Sequence, residues 1–216
     1  SPYVFPWDCV VLTRSDVVLK MAYIAWMTND IRLREELCTY LPALESYNRA
    51  SYIGIVLPRT ESKVEQEYVL QSLGDRSADI RDEAYKVLSE MSLSPEQYQH
   101  IEELLRFKYS EMRINAINLL MKQPEAQLAA SIRRLLSDKN AERRLAGLDM
   151  MKSIRNVDFL KDSYQKLLST VREIQKPNAK EKILIESLIG DGTEQSTTSN
   201  YTLENGFGLY NPALEV

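Results

Sequence analysis

Three stretches of this 216-residue chain repeat one another, and that self-similarity limits what it can fold into more than any other feature. The segments LGDRSADIRDEAYKVL (73–88), LRFKYSEMRINAINLL (105–120) and LLSDKNAERRLAGLDM (135–150) align on Ala84, Ala116 and Ala146. Each carries a Leu eleven residues earlier (Leu73, Leu105, Leu135), an Arg three earlier (Arg81, Arg113, Arg143) and a large apolar residue four later (Leu88, Leu120, Met150). A fixed period of this length is the mark of a stacked supersecondary unit. The anchors suit a pair of helices: a small Ala permits close approach at a crossing, and the apolar residue one turn on shares its face. The Leu closes the first helix, and the Arg opens the second within reach of acidic groups on a neighbouring unit.

Helix punctuation agrees. Ser94-Pro95-Glu96-Gln97 has a capping residue, Pro at the first helical position and Gln at the third. Ser62-Lys63-Val64-Glu65 and Asn178-Ala179-Lys180-Glu181 read as capping boxes, and Pro58, Pro95, Pro124 and Pro177 fall at helix boundaries. Ile101, Leu104 and Leu105 give the apolar stripe of an amphipathic helix. Residues 157–189 read as a fourth, degenerate unit broken at Lys176-Pro177, and 15–57 as helices broken near Thr28-Asn29 and Leu41-Pro42. Residues 1–14, with Pro2, Phe5, Pro6 and Trp7, read as an extended arm.

The pattern resembles HEAT repeats, whose signature is Leu-x-Asp, then Val-Arg, then Ala. Asp75, Ile80, Arg81 and Ala84 match it best. LSDKNAERRLA keeps Asp138 and Arg143, has Arg144 beside it and is one residue shorter; RFKYSEMRINA lacks the Asp. The short period is similar to the HEAT-like units of bilin-lyase-type proteins. The resemblance covers 61–155 and implies an all-α, HEAT-like α-solenoid with a short non-helical C-terminal segment. The expected division is an N-terminal arm and capping helices over 1–60, repeats over 61–190, and a linker with a docked segment over 191–216.

Composition narrows the function. The net charge is −4, and Asp191, Glu194, Glu204 and Glu215 account for all of it. The body over 1–190 is therefore neutral and exerts no general pull on nucleic acid or anionic membrane. Two cysteines, Cys9 and Cys38, make no disulfide framework and point to a reducing, cytoplasmic setting. The apolar runs Met21–Met27 and Tyr52–Leu57 are too short to cross a bilayer, no signal peptide is seen, and an initial Ser in place of Met reads as a tag scar or an excised fragment.

Catalytic constellations are not seen. His100 is the sole histidine and sits beside an apolar stripe, where a half-buried helix residue is the plain reading. Cys9, Cys38 and His100 lack metal-ligand spacing. Glu35-Glu36 and Glu102-Glu103 are adjacent and so point apart on a helix, as solvated residues do. Neither a cofactor nor a metal site is expected. One charge cluster stands out: Arg133, Arg134, Lys139, Arg143, Arg144, Lys152 and Arg155 oppose only Asp138, Glu142 and Asp149. Its basic surface, represented by Arg133, Arg134, Arg144, Lys152 and Arg155, would bind phosphate, nucleic acid or an acidic partner. Alternatively, its arginines pair with acids of adjacent units.

The end of the chain differs from the body. DGTEQSTTSN (191–200) is a polar linker. It is followed by an aromatic–glycine cluster in which Phe207, Leu209 and Tyr210 are expected to dock on protein. NGFGLYNP is similar to a stretch of large bacterial HEAT-repeat proteins that carry further domains of unknown function. The expectation is thus a non-catalytic scaffold or protein-interaction module of a larger protein. Its partner would be another protein or the remaining domains, with nucleic-acid or phosphate binding through 133–155 as the alternative.

Overall fold

The computed structural model describes residues 3–4, 11–58 and 60–190. Among them the protein is all-α apart from one short ladder, in which β1 (Tyr3–Val4) pairs antiparallel with β2 (Val11–Leu12). Both strands fall within the stretch 1–14 expected as an extended arm. The C-terminal segment, with Phe207, Leu209 and Tyr210, lies outside the described residues, as does Cys9.

Two compact units divide the chain at Ser131/Ile132. The first unit holds α1 (Arg14–Met27), α2 (Ile31–Leu37), α3 (Ser46–Val56), α4 (Lys63–Ser72), α5 (Ala78–Glu90), α6 (Pro95–Leu104) and α7 (Ser110–Leu120). Helix α8 (Glu125–Leu136) contains the boundary. The second unit continues with α9 (Ala141–Ile154), α10 (Lys161–Arg172) and α11 (Ala179–Ile189).

Local chemistry sets these ends. Complete capping boxes start α1 at Thr13, α6 at Ser94 and α11 at Asn178. Each supplies acceptors and donors to backbone groups that the first turn leaves unpaired. Helix α4 departs from its expected box. Ser62 accepts from the Glu65 N–H, but the Glu65 carboxylate turns away to Arg34 and Thr60. Asn29 and Lys176 turn the chain at φ 51° and 50°, where the sequence breaks were placed.

In the first unit α2, α4 and α6 pack in succession, as do α3, α5 and α7, and α4 lies on α5 and α6 on α7. The core between them includes Ile53, Leu70, Ile80, Leu88, Ile101, Leu119 and Leu120, all at most 1 % exposed. In the second unit α9 packs on α10 and α11, burying Leu145, Met150, Met151, Leu167, Val171 and Leu188.

All three expected alanines are buried: Ala84 0 %, Ala116 2 % and Ala146 0 %. The third segment is nevertheless out of register by one residue. Arg81 donates to the Asp75 and Arg76 carbonyls at 2.9 and 3.0 Å. Arg144, not Arg143, makes the same pair of bonds, to the Asp138 and Lys139 carbonyls at 2.9 and 2.8 Å. Asp75 accepts from the Ser77 N–H, and Asp138 accepts from the Asn140 N–H. Gly147 thus stands where Ala84 does. A Cβ there would lie 3.1 Å from the Leu135 Cβ, so an alanine would fit only if Leu135 gave way by a few tenths of an ångström. The corresponding anchors become Leu136 and Met151. The doublet Arg143-Arg144 offered either register; backbone carbonyls chose.

Candidate interaction surface

Helices α1 and α9 differ in how far their apolar residues are covered. In α9 Leu145, Ala146, Gly147, Leu148, Met150, Met151 and Ile154 are all enclosed. Helix α1 buries only Val18, Ala22 and Ala25. On one flank Val17, Met21 and Ile24 remain 45, 40 and 54 % exposed; on the other Leu19, Tyr23 and Trp26 remain 37, 58 and 39 % exposed, with Met27 at 63 % between them. At about half of roughly 200 Å² apiece, these seven side chains leave on the order of 700 Å² of mainly apolar surface, more than the largest patch of a typical monomer.

The first flank borders a groove of about 720 Å³ lined by Leu12, Val17, Val18, Met21, Leu33, Leu37 and Tyr40. Thr13, Arg14 and Glu36 supply its polar rim, and the Arg14 guanidinium lies 6.0 Å from the centre of the Tyr40 ring. On the second flank Tyr23 and Trp26 stack edge to face at 5.9 Å. Among the described residues no helix is long and apolar enough to cross a membrane; α1, at 14 residues, is about 21 Å long.

In the first unit a buried ion pair joins α2 to α4. Arg34 Nε and Nη2 donate to the two Glu65 carboxylate oxygens at 2.8 and 2.7 Å. The Glu65 side chain is fully enclosed, and the Thr60 hydroxyl donates to it as well. Burial, reinforced by the Glu65 charge, pushes the Cys38 thiol up to about 11 and the Tyr52 phenol up to about 12. Both stay protonated at neutral pH, so neither is an activated nucleophile.

The residues of the basic cluster differ in their surroundings. Arg144 donates through Nε to Glu181 at 2.7 Å and through Nη1 to two carbonyls, with 14 % of its side chain exposed. Arg143 pairs with Asp138 at 2.9 Å, and Arg155 donates to the Ser187 carbonyl at 3.0 Å. Arg133, Arg134 and Lys152 are exposed. Arg144 and Arg155 thus tie α9 to α11. His100 is half-buried on α6, and among the described residues no group of three His, Cys, Asp or Glu side chains could hold a metal ion.

Sequence reasoning missed the α1 face. Its signal is the run Met21–Met27, seven residues without a charge on a helix too short to span a bilayer.

The chain is thus an all-α protein whose most distinctive surface is an exposed apolar helix. It belongs to DUF5724, a family of unknown function, whose model matches residues 1–216. No curated protein and no solved structure matches it.

Proposed function

We propose that the chain is a non-catalytic protein-interaction module built as a HEAT-like helical repeat, with α1 as its docking face. The single observation behind the docking role is the mainly apolar surface that α1 leaves in water. Its burial by a partner would recover about 25 cal/mol per Å² before association costs. The repeat reading is supported by the succession α2, α4, α6 beside α3, α5, α7 and by the recurrent arginine-to-carbonyl bonds of Arg81 and Arg144.

A photo-crosslinking residue in place of Tyr23 tests the docking role, with one in place of exposed Ser153 as control. The expected result is a discrete macromolecular adduct at position 23 and none at 153. Equal absence at both positions would sink the reading. The alternative, nucleic-acid or phosphate binding through 133–155, would draw chiefly on the exposed Arg133 and Lys152, since Arg144 and Arg155 donate to Glu181 and to the Ser187 carbonyl. Its mark would be RNA or DNA binding that weakens with salt and with Arg133→Glu/Lys152→Glu.

A further inference from the structure

The partner of α1 can be identified from α1 itself. The groove-side flank of α1, Val17, Met21 and Ile24, offers on the order of 300 Å² at about half of roughly 200 Å² apiece, and the groove beside it adds Leu12, Leu33, Leu37 and Tyr40. Its groove-side positions are self-complementary. Val17, Met21 and Ile24 are spaced so that an antiparallel copy sets Val17 against the partner's Ile24 and Met21 near the partner's Met21. The charges agree with that direction. Arg14, Asp16 and Lys20 all lie in the first half of the helix, the run Met21–Met27 carries none, and the last turn has no basic residue. An antiparallel copy brings Arg14 to the partner's C-terminal end, where the helix dipole favours a cation. A parallel copy would place Arg14 on Arg14.

We propose that a second copy of the chain covers this face: two α1 helices pack antiparallel about a two-fold axis near Met21, each seated in the groove that its partner's α1 forms with α2. The contact is isologous and closes on itself, so it makes dimers rather than filaments. This names the partner in the interaction reading above and rests on it.

Sedimentation equilibrium tests the proposal on the whole 216-residue chain, across roughly 1–100 μM. The expected result is association from 24.9 kDa to twice that mass. Met21→Glu should weaken it on the order of 100-fold or more, because it buries a charge at the centre of the contact. Ile114→Glu, exposed on α7, should leave it unchanged, and circular dichroism should show both variants equally helical. A second readout removes any dependence on Met21→Glu folding. Met21→Cys should form an intermolecular disulfide under mild oxidation, whereas Ile114→Cys should not. Wild-type chain that stays at 24.9 kDa throughout, or a dimer indifferent to Met21→Glu, would overturn the proposal. If that monomer still yields one adduct to a different protein from position 23, only the self-association fails. If it yields none, the interaction reading fails too.

Discussion

Replacing Arg144 by Met should cost the second unit about 3–5 kcal/mol. The Glu181 side chain is 0 % exposed, and it accepts from Arg144 Nε at 2.7 Å and from the Asn178 N–H at 2.6 Å. Methionine keeps much of the aliphatic body of Arg144 and removes the charge, so a buried carboxylate is stranded. Stranding one partner of a buried pair is the main part of that cost. The lost bonds to the Asp138 and Lys139 carbonyls lie nearer the surface and add at most about 1 kcal/mol. Urea melts of both proteins, followed by circular dichroism, read the difference. A penalty below about 1 kcal/mol would refute the reasoning.

Three further outcomes follow from the packing. Gly147→Ala gains about 1 kcal/mol of helix propensity, but its Cβ would meet the Leu135 Cβ at 3.1 Å. The clash should prevail, with a net loss of about 1–2 kcal/mol in urea melts, and any stabilisation would show that α8 and α9 separate freely there. Ala116→Leu should overpack the crossing of α7 on α6 and cost about 1–3 kcal/mol; an unchanged melting temperature would place Ala116 off the crossing. Cys38, pushed up from 9.0 to about 11 by burial, favours the folded state fully below pH 9, and that contribution is lost as pH rises towards 11. The stability of wild type relative to Cys38→Val should therefore fall over that window, and a constant difference would count against a buried thiol.

What the sequence determined alone was whatever rests on neighbours within a turn or two. Ser94-Pro95-Glu96-Gln97 and Asn178 to Glu181 cap their helices as read, because a cap is closed by groups three residues apart. The breaks at Thr28-Asn29 and Lys176-Pro177 are local in the same sense. The burial of Ala84, Ala116 and Ala146 was also legible, since apolar spacing on one helix reports a face before its partner is known. Tertiary structure decided the rest. Glu65 and Glu181 hold the same position three residues into their helices, yet only Glu181 closes its box. Arg34, from a helix 31 residues away, takes the Glu65 carboxylate, a competition that no local pattern records. The choice of Arg144 over Arg143 fell to carbonyls of the preceding turn, and Arg144 then reached across 37 residues to Glu181. Helices α1 and α9 show the limit most plainly. The apolar residues of α9 are enclosed and most of those of α1 are bare, because composition states what a helix would gain from cover, and only the placement of other helices states whether the cover is there.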